Sequence, residues 1–204
     1  MRLHDETGPS VDGSPLVREA QAVAAREHAG QNRKASGIPY VSHAAAVAEV
    51  LAEARFDDEV LAAALLHDTV EHTGLDAADI RRRFGDRVGS LVEAMTDREE
   101  IESWEERKDE HRERVRSAGR DACAIYAADK LCGIREAREG YAEVAEDVED
   151  RLGNSLDTRL TAWEKDLRMV SAVEPPLPFA GEIAAQLGRL RGDRATGSPA
   201  PFQR

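Results

Sequence analysis

The stretch Val60-Leu61-Ala62-Ala63-Ala64-Leu65-Leu66-His67-Asp68-Thr69-Val70-Glu71-His72 decides how this chain folds. Its first seven residues are apolar, rich in strong helix formers and free of charge, and read as a buried helix. The run then ends in a cluster of ionisable side chains. Burying charge at such a place costs several kcal/mol per ion unless the charge is paired or bound to metal. A His beside an Asp can ligate one cation, the first through an imidazole nitrogen and the second through a carboxylate oxygen. Glu71 lies four residues after His67, nearly on the same face of a continuous helix, where a base for a metal-bound water belongs. A plain helix end with solvated polar residues is the alternative, and the rest of the chain weighs against it.

Outward from this stretch the pattern stays helical. Helices are expected from Leu16 to Ala29, from His43 to about Arg55 with Ser42 as cap, and from Val60 to Val70 after Asp57 or Asp58. Shorter ones follow at Asp76 to Phe84, stopped by Gly85, and at Asp86 to Met95. The charge-dense run from Glu99 to about Ser117 reads as a helix with a solvated face, and Gly119 ends it. Asp121 opens another helix, apolar through Ala122 to Ala128, that reaches Asp129-Lys130. A helix from about Ala145 to Val173, with a break near Gly153-Asn154, precedes Pro175-Pro176. Glu182 to Arg191 forms a last short helix. No repeat or strand is evident, so the fold class is all-α, a single helical bundle. Residues 1–14 read as a disordered lead, 15–174 as the domain, and 175–204 as a C-terminal extension with a mobile tail.

Composition narrows the function. The 204 residues suffice for one well-cored domain. A formal net charge of −12 argues against a nucleic-acid partner, although a metal and a few arginines can reverse the sign locally for a small anionic substrate. No apolar run spans a bilayer and the first residues lack a signal-peptide core, so no membrane partner and a cytoplasmic setting are expected. Cys123 and Cys132, nine apart in one helix, match no zinc spacing.

Asp129 repeats the situation of Asp68, a carboxylate ending a small-residue apolar helix. With His43 these residues make a set of two imidazoles and two carboxylates: His43, His67, Asp68 and Asp129. Such a set suits a divalent first-row metal with room for water, rather than a closed thiolate zinc site. A zincin arrangement is excluded, because His67 and His72 are five apart, about 140° around a helix.

The order His43, His67-Asp68, Asp129 resembles the HD-domain metal-dependent phosphohydrolases. The flanking segments narrow the resemblance: His28 to His43 with Gln31, Arg33, Lys34, Gly37, Pro39 and Tyr40, then Ala64 to Glu71, Phe84-Gly85, Met95-Thr96-Asp97, Glu106-Arg107-Lys108 and Ala128-Asp129-Lys130-Leu131. These are similar to the hydrolase domain of the RelA/SpoT-type alarmone enzymes and to the small stand-alone alarmone hydrolases, over about Val17 to Val170. The resemblance implies a bound Mn²⁺ and removal of the 3′-pyrophosphate from (p)ppGpp, giving GDP or GTP plus pyrophosphate. It implies His43, His67, Asp68 and Asp129 as metal ligands and Glu71 as the residue that activates water. Arg33 and Lys34 would lie along guanine and phosphates, with Arg159 and Trp163 near the nucleotide.

Three positions depart from the family pattern. His72 stands where the family has a second acid, Gly133 where it has an asparagine that positions the nucleoside, and Trp104 where close relatives carry a lysine. His72, four after Asp68, could still carry a proton in catalysis. Three functions therefore remain open: an alarmone 3′-pyrophosphohydrolase, a hydrolase of another nucleotide, and a non-catalytic nucleotide sensor.

Overall fold

The computed structural model describes residues 14–33, 37–143 and 154–196. They form helices joined by short turns, with no strand among them beyond an isolated bridge between Asn32 and Pro39. In chain order these are α1 (Pro15–Glu27), α2 (Tyr40–Glu53), α3 (Asp58–Leu66), α4 (Thr69–His72), α5 (Ala77–Phe84), α6 (Asp86–Met95), α7 (Trp104–Ala118), α8 (Arg120–Glu143), α9 (Leu156–Ser171) and α10 (Ala180–Thr196). The all-α bundle expected from the sequence is the fold. None of these helices is long and apolar enough to cross a membrane.

Helix α3 is the axis of the bundle. Every residue from Val60 to Leu66 is buried, and the helix packs against α1, α2, α6 and α8. A helix of Ala, Leu and Val can do this because it has no polar face to keep in water. Its start is secured by Asp57, whose carboxylate accepts from the Val60 N–H at 3.1 Å. The second apolar run, Ala122 to Ala128 in α8, is likewise buried throughout. The two runs bring their polar ends, His67-Asp68 and Asp129, into the same region.

Several boundaries differ from the sequence reading, each for a local reason. The helix expected to run through Val70 stops at Leu66, because His67 and Thr69 side chains take the carbonyls of its last turn. The His67 Nδ1–H donates to Ala64 O at 2.7 Å and the Thr69 hydroxyl donates to Leu66 O at 2.7 Å. Ser42 does not cap α2, which begins at Tyr40 behind Pro39. Backbone bonds close the preceding loop instead, with Tyr40 N–H donating to Gln31 O at 3.0 Å and Arg33 N–H to Ile38 O at 2.8 Å. The charged run becomes helical only at Trp104, where the Ser103 hydroxyl caps the Glu106 N–H. Ser155 caps α9, and the part of the expected helix before Asn154 lies outside the described residues, as do residues 1–13 and 197–204. The last helix is longer than Glu182 to Arg191 and buries Ile183, Leu187 and Leu190 against α8 and α9.

The charge-dense α7 is not wholly a solvated face. Arg112 is buried and donates to Asp166 Oδ1 at 2.7 Å, which also accepts from the Tyr126 hydroxyl at 2.7 Å. This one carboxylate ties α7, α8 and α9 together. Asp166→Ala should cost about 1–3 kcal/mol, because it leaves the buried Tyr126 hydroxyl and one amino group of Arg112 unpaired while Asp109 still holds the other. Urea unfolding measures this, and a loss under about 1 kcal/mol would show that the pair contributes little.

Candidate metal centre

The break after α3 exposes the edge of the His67 ring to the carboxylates around it. With Nδ1–H held by Ala64 O, the other ring nitrogen, Nε2, stands 3.1 Å from Asp68 Oδ1 and 3.8 Å from Asp129 Oδ1. His67 is 2% exposed, and Nε2 has no hydrogen-bond partner although both carboxylates stand beside it. A lone pair facing carboxylate oxygens is repulsive unless a cation stands between them. The orphaned nitrogen with two carboxylates beside it fits a divalent ion, which His67, Asp68 and Asp129 would hold.

His43 sits in the first turn of α2 and is fully buried. Its Nδ1 lies 2.5 Å from Glu136 Oε1 and its Nε2 3.0 Å from Asp129 Oδ1. Glu136 accepts the Nδ1 proton, which leaves Nε2 to face the same point as His67 Nε2. Ligand atoms of His43, His67 and Asp129 all fall within 4.8 Å of one another. Asp68, hydrogen-bond distance from His67, groups within the same limit with Glu71 and His72. Three of the four residues read from the sequence as ligands thus meet in one cluster, and Asp68 joins it through His67.

The electrostatics favour cations. Burial opposes charge on His43, but Asp129 and Glu136 outweigh it and its pKa is pushed up to about 9. Burial raises the Asp129 carboxyl, yet Lys130 and the two histidines hold it well below the usual carboxylate range. Lys130 Nζ donates to Asp129 Oδ2 at 2.6 Å and lies over the Tyr126 ring at 4.5 Å, so Oδ1 is the oxygen left for the histidine side. Asp68 is also lowered against burial, chiefly by His67, with His43 and Arg33 adding to the effect.

Glu71 keeps its place near the ligands although the helix is broken. Its Oε2 accepts from the Asp97 N–H at 3.1 Å, and its Oε1 lies 3.6 Å from His72 Nε2. Asp97 is in turn held by Lys108, with His111 Nδ1 at 2.7 Å and Arg107 at 3.6 Å. His72 stands at the rim, a third exposed, its ring edge-on to Tyr40 at 5.1 Å.

The other sequence candidates fall in different settings. The Arg33 guanidinium lies over the Tyr40 ring at 5.2 Å, donates from Nε to Glu136 Oε2 at 3.1 Å, and stands 3.6 Å from Asp68 Oδ2. Lys34 lies outside the described residues. Arg159 stacks over Trp104 at 5.2 Å, and its pKa is lowered by burial and by the nearby Arg33. Trp163, one turn along α9, is 7% exposed and belongs to the core. A cleft of about 280 Å³ opens beside Trp104, but its cations Lys108, Arg112 and Lys165 are already paired with Asp97, Asp166 and Asp109. Sequence reasoning missed Glu136 and the support behind Glu71. Glu136 could have been found, since it lies seven residues after Asp129 and therefore two turns along the same face of α8.

Comparison with known proteins identifies the family. The HD domain family pattern matches residues 20–156. A GTP pyrophosphokinase of Streptomyces coelicolor is 35% identical over 176 residues, covering 80% of this chain and 21% of that protein. A guanosine-3′,5′-bis(diphosphate) 3′-pyrophosphohydrolase of Aquifex aeolicus is 38% identical over 121 residues, 58% of this chain and 17% of that one. The chain thus spans about a fifth of the length of the curated relatives it matches. Among solved structures, a metazoan ortholog of SpoT described as hydrolysing ppGpp superimposes with a TM-score of 0.70 at 28% identity, covering 91% of this chain and 98% of that one. The matched pattern takes in more than half of the residues, including the helix ends that carry His43, His67, Asp68 and Asp129, and the chain belongs to the HD-domain family.

Proposed function

We propose that the protein is a metal-dependent phosphohydrolase that removes the 3′-pyrophosphate of (p)ppGpp, releasing GDP or GTP and pyrophosphate, with Mn²⁺ as its metal. The reading is carried by the buried His67 Nε2, aimed without a hydrogen-bond partner at the carboxylates of Asp68 and Asp129. The relatives named for ppGpp hydrolysis support the substrate, and two imidazoles with two carboxylates suit a first-row divalent ion. Cytoplasmic placement belongs to the same proposal.

His43, His67, Asp68 and Asp129 would hold the ion. Bound there, the metal lowers the pKa of a water ligand and neutralises phosphate charge. Glu71 would accept a proton from the attacking water at Oε1, with the Asp97 N–H keeping Oε2 occupied and the carboxylate oriented. His72, 3.6 Å from that oxygen, is placed to pass the proton outward to solvent. Arg33 and Arg159 supply the cationic side against which phosphates bind, because planar guanidinium groups can grip phosphate oxygens in pairs. Lys34 shares that role, and Trp163 supports it from the core, one turn from Arg159.

Hydrolysis of another nucleotide is the second reading, and Gly133 favours it. A Cβ there would meet nothing within 4 Å, so the face of α8 beside Asp129 has room where an amide side chain would otherwise contact the nucleoside. A non-catalytic sensor is disfavoured, since such a protein has no use for a carboxylate oriented as Glu71 is. Mn²⁺-loaded protein assayed with ppGpp, pppGpp, GTP, deoxynucleoside triphosphates and nucleoside monophosphates separates the readings. Release of pyrophosphate from ppGpp and pppGpp in preference to the others is expected, and preference for a nucleotide without a 3′-pyrophosphate would overturn the first reading.

Two substitutions divide ligand from base. His67→Ala or Asp129→Ala should abolish both metal binding and turnover, and full metal occupancy of the Asp129→Ala protein by elemental analysis would rule out the site as drawn. Glu71→Gln keeps the side chain's shape and removes its basicity. Metal should stay while turnover falls by about 10²-fold or more. Turnover at the wild-type rate would show that another group activates the water.

A further inference from the structure

Glu136 lies at the junction of two parts of the site that the chain brings from opposite ends of the domain. One oxygen, Oε1, lies 2.5 Å from His43 Nδ1, and the other, Oε2, accepts from Arg33 Nε at 3.1 Å. The carboxylate is buried, and its partners are 93 and 103 residues away in sequence. It cannot itself be a metal ligand in this arrangement. It sits behind the His43 ring, on Nδ1, whereas the ligand atoms of His67 and Asp129 gather on the Nε2 side.

Building on the metal-centre reading above, we infer that Glu136 is a positioning residue that fixes the metal ligand His43 and the phosphate-side cation Arg33 from a single carboxylate. On the metal side, His43 can offer a lone pair from Nε2 only when its proton is on Nδ1. A charged acceptor at Nδ1 enforces that tautomer, sets the ring's rotation and increases its basicity as a ligand.

On the substrate side, Arg33 projects from a loop whose backbone is closed by the Arg33 N–H to Ile38 O and Gly37 N–H to Arg33 O bonds, both 2.8 Å. Those bonds place its Cα but not its guanidinium. The bond from Nε to Glu136, with Tyr40 packed against the guanidinium face, holds the head group. The Nε contact is on the inner edge, so Glu136 orients Arg33 without covering both terminal amino groups, which are the pair that grips a phosphate. One of them remains 3.6 Å from Asp68 Oδ2, so the arginine spans from the positioning carboxylate to the ligand cluster.

The two oxygens do different things, and substitutions should separate them. Glu136→Gln retains an oxygen acceptor for His43 Nδ1–H but presents an amide in place of charge to Arg33. Glu136→Ala removes both contacts. Isothermal titration of the metal-free full-length protein with Mn²⁺ alone should give a Kd raised about 10- to 100-fold for Glu136→Ala. Glu136→Gln should lie much nearer wild type. With ppGpp as substrate at saturating Mn²⁺, Glu136→Gln should raise KM, with the larger share of its loss in KM rather than kcat, as should Arg33→Ala. Adding Glu136→Gln to Arg33→Ala should then change KM little further.

Wild-type Mn²⁺ affinity in Glu136→Ala, measured beside a His67→Ala control that has lost binding, overturns the inference. Mn²⁺ binding retained by His67→Ala would instead overturn the metal centre on which it rests. Wild-type KM in Glu136→Gln overturns the Arg33 half. Should Glu136→Ala fail to fold, by its far-ultraviolet spectrum and melting curve, Glu136→Met has similar length and no strong acceptor, and the same two outcomes decide.

Discussion

The structure depends on how buried carboxylates are kept in charge balance. Asp129 and Glu136 are buried and Asp68 half-buried near the ends of the apolar runs Val60 to Leu66 and Ala122 to Ala128, where an unpaired buried carboxylate would cost several kcal/mol. Each is met by a cation or a proton-bearing ring: Arg33 against Asp68 and Glu136, Lys130 against Asp129, His43 against Asp129 and Glu136. The one buried atom this arrangement leaves without a hydrogen bond at its centre is His67 Nε2, and a divalent ion is the group whose charge and coordination answer it. A site of this sort holds its acids ready for metal by surrounding them with fixed cations, so that net attraction survives without leaving them all unpaired.

The support behind Glu71 follows the same logic at one remove. Glu71 has a backbone N–H on one oxygen and a rim histidine near the other, rather than an ion pair that ties up both. The ion pairs are moved back to Asp97, which gathers Lys108, Arg107 and His111 from α7. The dense charge of α7 is therefore divided between a solvated outer face and an inner edge that stiffens the site. Asp166, meeting Arg112 and Tyr126, anchors that helix to α8 and α9.

Position 133 opens space beside this cluster. One turn beyond Asp129, Gly133 leaves open space on the helix face that leads to Glu136, while its neighbours Cys132 and Ile134 are buried. Asp129 and Glu136 keep their partners on either side of that opening.

The all-α bundle, the buried helix at its centre and the four ligand candidates were legible in the residues alone. Apolar runs without a polar face must be buried, and ionisable groups at their ends must be neutralised there, so Val60 to Leu66 and Ala122 to Ala128 already point to His67, Asp68 and Asp129. Tertiary structure decided what no local rule contains. The helix breaks at His67 because side chains of that turn capture its last carbonyls, a competition between two local outcomes that burial settles. Trp163 is drawn into the core, and Arg159 is left to stack on Trp104. Glu136 acquires its partners only when the loop of Arg33 and the start of α2 are folded against α8. Hydrophobic pattern is a property of neighbouring residues, whereas the pairing of a buried charge depends on which distant segments share its cavity.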